Sequence, residues 1–336
     1  ENEVLGYTGK PDSYYNAIIN WVKQRYDLIV TKEVINFVPG IVPGIGMAMN
    51  CFTQKGDKVM IQPPVYHPFA WVTTRNERTL VINPLKWENG MYRMDLDAFR
   101  EQIKGCKLFI LCNPHNPGGV VWTEAELRAI ADICYDEKVL VFSDEIHADL
   151  TLPPHTHRPF ATVSEKARMN SVTFMSPSKA FNMPGLSASH ALIFNEDLRK
   201  RFRIYMDAGE LDMGHVFAFL SVEAAYSHGT EWLDQCLAYI QGNIDFVDEF
   251  LKKHAPKIKA IRPEASYLVW LDCRELKLSQ KDLNEFFVDK AHLALNDGEM
   301  FGKEGIGFMR LNVASPRCII EKAMKQLADA YQLYIK

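Results

Sequence analysis

The stretch SVTFMSPSKAFNMPG, Ser171 to Gly185, sets an apolar run directly before a lysine. Ser171–Met175 reads as a buried strand, and Lys179 stands just past its carboxyl end among small hydroxyl residues. Surface lysines usually sit among charges. A lysine at a desolvated site loses its proton more easily and becomes a nucleophilic amine.

The same arrangement recurs on both sides of this stretch. VINFVPG (34–40), KVMIQPP (58–64), TLVINP (79–84), KLFILCNP (107–114), VLVFSDE (139–145) and HALIF (190–194) all read as strands. Between them, GIGMAMNCF (44–52) has helical character, and TEAELRAIADICYDEK (123–138) is a clear helix. Thr123 and Glu126 form its capping box, and Leu127, Ile130, Ala131 and Cys134 share one face. Unbroken apolar strands between helices predict an α/β fold whose mostly parallel sheet is covered on both faces. After about residue 230 the texture changes. A helix over 231–254, the strand SYLVWLDC (266–273), a helix over 280–290, a strand ending in MRLNVA (309–314) and a last helix from Pro316 predict a smaller α+β domain. The expected division is a large domain over 1–230 and a small C-terminal domain over 231–336.

Composition narrows the function classes. Of 336 residues, 47% are hydrophobic and 24% charged, enough for a large core. The formal net charge of −4 favours neither nucleic acid nor an anionic membrane as partner. No run of about 18 uncharged apolar residues predicts a membrane-spanning helix, and no signal peptide is read. The chain starts at Glu1 rather than Met, so its natural form is expected to begin earlier. Seven scattered cysteines without a C-x-x-C pair read as buried thiols of a reducing cytoplasm, and no metal site is expected.

In open α/β sheets, ligands bind beyond the carboxyl ends of the strands. Three such ends carry chemistry here. NPHNPGG (113–119) is a rigid turn, or a turn that aims an Asn amide into a cleft. Asp144, at the end of VLVFS, needs a partner because an unpaired buried charge is costly. That partner is a structural Arg, a metal, or a protonated cofactor nitrogen. The metal is disfavoured, since Asp144 and Glu145 point apart in a strand and no second His cluster supports them. Lys179 supplies an amine. Amine, carboxylate and amide at three strand ends of one sheet are what a pyridoxal phosphate site needs. The phosphate would find backbone N–H groups where VPGIVPGIG (38–46) enters a helix, with Ser176 and Ser178 adding hydroxyls. Tyr66 could lie flat on the ring. No G-x-G-x-x-G follows the first strand, which disfavours a nicotinamide enzyme. His155 and His157 read as exposed imidazoles of a proline-rich loop, RKRFRIYMDAG (199–209) as a solvated helix face, and Met183, Met206 and Met213 as packing residues.

Four pieces in order, NPHNPGG, SDEIH, SPSKAF and MRLNVA, resemble the fold-type I pyridoxal phosphate enzymes, the aspartate aminotransferase superfamily. SDEIHADL, SKAFNMPGL, PPVYHPF and LGYTG are most similar to its cystathionine β-lyase/C–S lyase subgroup. The resemblance implies a three-layer αβα fold. It implies that Lys179 bonds the cofactor aldehyde, Asp144 pairs with the ring nitrogen, Asn116 bonds the phenolic oxygen and Tyr66 stacks on the ring. Ser176, Ser178 and the amides around Ile41 and Val42 would hold the phosphate. Tyr7 would reach the cofactor phosphate of a neighbouring subunit, which implies a homodimer. Arg310 would grip the substrate α-carboxylate. His147 stands where typical aminotransferases carry Tyr, and Ser187 where they carry a phosphate-binding Arg; both departures fit the lyase subgroup. The subgroup's N-terminal arm, which helps close the site, is absent from this sequence. The implied reaction is α,β-elimination from cystathionine or a related cysteine thioether, giving a thiol, pyruvate and ammonia in the service of methionine biosynthesis. The rivals are an aminotransferase of an amino acid or amino phosphate, and a cofactor-binding regulatory protein with secondary lyase activity.

Overall fold

The computed structural model describes residues 6–334, so Leu5 of the LGYTG motif lies outside the described residues. Nine strands precede residue 200: β1 (Ile35–Val38), β2 (Lys58–Ile61), β3 (Thr79–Ile82), β4 (Lys86–Glu88), β5 (Met91–Arg93), β6 (Cys106–Cys112), β7 (Leu140–Asp144), β8 (Ser171–Met175) and β9 (Ser189–Leu192). Four follow: β10 (Lys259–Ile261), β11 (Leu268–Asp272), β12 (Asn296–Asp297) and β13 (Phe308–Asn312). Seven of them form one sheet in the order β1-β9-β8-β7-β6-β2-β3. Only β9 opposes its neighbours; the β2–β3, β2–β6, β6–β7 and β7–β8 pairs are parallel. A second sheet, β10-β11-β13-β12, is antiparallel. The fold is therefore α/β with a mostly parallel sheet and a small antiparallel C-terminal sheet.

Strand alternation decides which residues face which layer. Leu108, Ile110 and Cys112 of β6 pack with Ile45, Met49 and Phe142 on one face, whereas Phe109 and Leu111 pack with Leu127, Ile130 and Val141 on the other. Each face is closed by helices: Ile41–Phe52 on the first, Glu124–Asp136 on the second. The capping box of Thr123 and Glu126 is formed as expected from sequence.

Several local readings change. The helix expected from Gly44 begins at Ile41, with Pro43 in its first turn. Proline is tolerated there because the first-turn N–H groups have no partner within the helix. The helix expected over 280–290 is α only to Glu285 and winds on as a π turn over Phe286–Lys290. The β4–β5 hairpin escaped the sequence reading, although Asn89-Gly90, both at positive φ, is its turn signal. The helix Glu196–Asp207 exposes most of its basic residues yet buries Phe202 and Met206. Met213, read as packing, is exposed, and so is Cys318; Cys51 and Cys236 are half-buried. Among the described residues no helix is long and apolar enough to cross a membrane.

A third apolar cluster joins the two sheets. It takes in Trp21 and Val22 of the helix Asp12–Tyr26, Leu233 and Leu237 of the helix Thr230–His254, Leu271 of β11 and Met324 and Leu327 of the helix Arg317–Tyr334.

Candidate active site

A cavity of about 390 Å³ opens at the carboxyl ends of β6, β7 and β8, where the parallel strands point. Asp144 ends β7, in register with Cys112 of β6 and Phe174 of β8. Cys112 and Asp144 share the face that lines the cavity. Lys179 lies four residues past β8 in a turn, and Asn116 four past β6. Ile41 and Val42, the first residues of their helix, bring its amino-terminal N–H groups to the rim. Tyr66, His147 and Ser178 complete the near wall, and Arg310 reaches in from β13 of the second sheet.

One of the expected residues stands elsewhere. Ser176 is buried behind the wall: its hydroxyl donates to the Ala188 carbonyl at 2.8 Å and accepts from the Ser178 amide at 3.1 Å. Tyr7, expected to serve a neighbouring subunit, is 99% exposed and does not line this cavity.

The loop that carries Asn116 is tied to the second sheet through Gly119. Its φ is +68°, and a Cβ there would lie 2.5 Å from Cβ of Pro263. The Gly119 carbonyl accepts from the Glu264 and Ala265 amides at 2.8 and 3.1 Å. A side chain at 119 is thus excluded twice, by backbone conformation and by space.

The charges in the cavity are unbalanced. Asp144 is buried, and its carboxyl accepts one hydrogen bond, from the Ile146 amide at 3.1 Å. Burial pushes this carboxyl up to about 7; the amide opposes that, the Glu145 charge adds to it and the Lys179 charge opposes it. Burial pulls His147 down to about 3, helped by the charges of Lys179 and Arg310, so its imidazole is neutral. Burial also raises the Tyr66 hydroxyl, with the Asp144 charge adding to the shift. Arg310 donates to two neutral amide oxygens, Asn116 Oδ1 and Asn296 Oδ1, each at 2.8 Å, and lies over the Phe301 ring at 4.6 Å. Burial lowers its guanidinium to about 10.

Two buried nitrogens here have no partner, His147 Nδ1 and Arg310 Nε. A buried carboxylate short of donors, a guanidinium held only by amides, and an amine on the same wall form a set suited to a ligand with both cationic and anionic groups. The set would fit pyridoxal phosphate with an amino acid beside it: a ring cation for Asp144, a carboxylate for Arg310, an aldehyde for Lys179 and a phosphate for the helix terminus. Among the described residues no group of three or more His, Cys, Asp or Glu is placed to hold a metal.

Sequence reasoning missed Tyr267 and Asn312, which also line the cavity. Asn312 was legible, since it lies two residues after Arg310 on one face of β13. Tyr267, just before β11, meets the His147 ring edge-on at 6.3 Å and carried no signal in the sequence. Sequence reasoning also misplaced His157. It is buried, not exposed, with Nε2 at 2.7 Å from Glu145 Oε2, because Glu145 turns away from the cavity and needs a partner behind the sheet.

The profile of the family "Aminotransferase class I and II" matches residues 2–327. Cystathionine beta-lyase PatB of Bacillus subtilis (strain 168) is 37% identical over 332 residues, 98% of this chain and 86% of PatB. Among solved structures, cystalysin from Treponema denticola, which contains pyridoxal 5′-phosphate, superposes with a TM-score of 0.96 at 35% identity, covering 99% of this chain and 85% of cystalysin. The pyridoxal-phosphate-bound C–S lyase of Staphylococcus hominis, in complex with L-cycloserine, gives 0.90 at 33% identity, covering 98% and 81%. With a cavity that fits the same cofactor, the chain belongs to the class I and II aminotransferase family of fold-type I pyridoxal 5′-phosphate enzymes, and within it to the group of cystathionine β-lyase-like C–S lyases.

Proposed function

We propose that this protein cleaves the Cβ–S bond of cystathionine or a related cysteine thioether by α,β-elimination, releasing a thiol and an enamine acid that one water hydrolyses to pyruvate and ammonia. The observation that carries this reading is one cavity that holds Lys179, the buried Asp144 and Arg310 with its unpartnered Nε. The similarity to PatB supports elimination over transamination.

When bound, the cofactor supplies a cationic ring that draws electrons from the substrate α-carbon. Asp144 holds the proton on the ring nitrogen, and Asn116 donates to the phenolic oxygen with neutral His147 beside it. Tyr66 covers the ring face. Ser178 and the amides of Ile41 and Val42 take the phosphate, which the helix terminus favours, while Ser176 braces the Ser178 amide from behind. Arg310 fixes the α-carboxylate and so orients the Cα–H bond. Lys179, once its amine is free, takes the α-proton as general base, and the thiolate departs from Cβ.

The residues over 1–230 serve as the cofactor-binding domain and those over 231–336 as the smaller substrate-closing one. Two copies share their sites, with the exposed Tyr7 of each reaching the partner's phosphate. Free thiols throughout the described chain support a cytoplasmic setting, and methionine biosynthesis is the fitting role.

The test is incubation with L-cystathionine and cofactor, without any 2-oxo acid, with pyruvate followed by a lactate dehydrogenase couple. Steady pyruvate release is expected. Turnover that depends wholly on an added 2-oxo acid would make the protein an aminotransferase instead.

A further inference from the structure

Asp144 and Glu145 send two carboxylates to opposite faces of the sheet. Asp144 lines the cavity; Glu145 lies behind it, and its side chain is fully buried. Oε1 of Glu145 accepts from Ser143 Oγ and from the Phe160 amide, both at 2.8 Å. Oε2 meets His157 Nε2 at 2.7 Å, and the His157 side chain is 1% exposed. The loop that leaves after Leu150 therefore folds back and closes on Glu145 at two points, His157 and Phe160.

The surroundings of this pair are acidic. The His157 ring meets Tyr26 edge-on at 5.5 Å, and Tyr26 donates its hydroxyl to Asp149. Asp149 also accepts from Trp21 Nε1 at 2.9 Å and feels the charge of Arg25. On the cavity side stand Asp144 itself, Lys179, Tyr66 and Cys112. Three buried carboxylates, at 144, 145 and 149, thus crowd one strand end. The only imidazole in direct contact with Glu145 among the described residues is His157. An uncompensated Glu145 charge would act directly on Asp144, its neighbour in the chain.

We propose that His157 and Glu145 are positioning residues for Asp144: their contact clamps the strand end from behind, and the imidazole offsets the Glu145 charge, so that Asp144 meets the ring nitrogen ionised. The proposal rests on the reading of Asp144 as the partner of that nitrogen.

The test is a fluorescence titration of cofactor-free protein with pyridoxal phosphate from pH 5.5 to 8.5. The Asp144-dependent part is isolated by comparison with Asp144→Asn. His157→Gln should move the midpoint of that part upward by roughly half a pH unit, about threefold in affinity at pH 7. Glu145→Gln should move it downward. The double variant, which removes both partners, should return it toward the wild-type position. A packing role alone would leave the midpoint unmoved in every variant, and that result overturns the proposal. If His157→Gln does not fold, the direction of the Glu145→Gln shift decides. An Asp144→Asn protein that binds like wild type at every pH would instead remove the underlying reading of Asp144.

Discussion

Arg310 Nη1 donates to Asn116 Oδ1 across 2.8 Å, joining the second sheet to the loop after β6. Arginine only donates, so the amide oxygen must face it and the amide NH₂ is left for another acceptor. One contact thereby sets the orientation of two groups, the Asn116 amide and the Arg310 guanidinium, which on the proposed reading serve the cofactor and the substrate.

Replacing Arg310 should therefore harm substrate binding before cofactor binding. Arg310→Lys loses the two-pronged geometry, and KM for a thioether amino acid should rise by about 10- to 100-fold. Cofactor affinity of the cofactor-free protein should change far less. Initial-rate kinetics beside a cofactor titration separate the two, and an unchanged KM would remove Arg310 from the substrate site.

Lys179 is the expected point of covalent attachment. Borohydride treatment of the cofactor-loaded protein should add one phosphopyridoxyl group (the cofactor less water plus two hydrogens) to the peptide that contains Lys179, and should leave Lys179→Ala unlabelled. Peptide mass mapping reads this directly; label on another lysine would refute the assignment.

Asp144 predicts an unusual pH dependence for the cofactor-free protein. Its carboxyl sits at about 7 in the fold, above the ordinary 3.8, because burial disfavours the charge. The folded state then binds the proton more tightly than the unfolded chain. The stabilising contribution is full below about pH 4 and is lost as pH rises through 7, with an upper bound of about 4 kcal/mol. Urea unfolding at pH 5 and pH 8 should show this loss in wild type and a smaller one in Asp144→Asn. Equal slopes in both proteins would contradict it.

Gly119→Ala should cost about 2–4 kcal/mol, from a residue forced to positive φ and from overlap with Pro263. Denaturant midpoints check the stability. The same change should weaken cofactor binding, since the loop it distorts carries Asn116.

Much of this was legible in the sequence because strands bury their sides and expose their ends. The apolar runs before Asn113, Asp144 and Ser176 located three corners of the cavity, and one parallel sheet brings such ends together. Arg310 came from family resemblance rather than periodicity, because nothing local ties β13 to β6. His157 was misread for a related reason. A proline-rich loop looks exposed in sequence, and only the inward turn of Glu145 shows that its imidazole must be buried. Tyr267 and the shared Gly119 contact depend on how two sheets meet, a long-range arrangement that strand patterning does not encode.

The apolar cluster that runs from Trp21 through Leu237 to Leu327 has a consequence for attempts to dissect the protein. Cutting the backbone near Gly229 would sever the chain but not the packing, since the opening helix and the closing helix are bricked into the same interior. Neither fragment would own the whole of this cluster. Expressed separately, each would present a greasy scar, and activity would return only when the two were mixed and re-formed that shared interior.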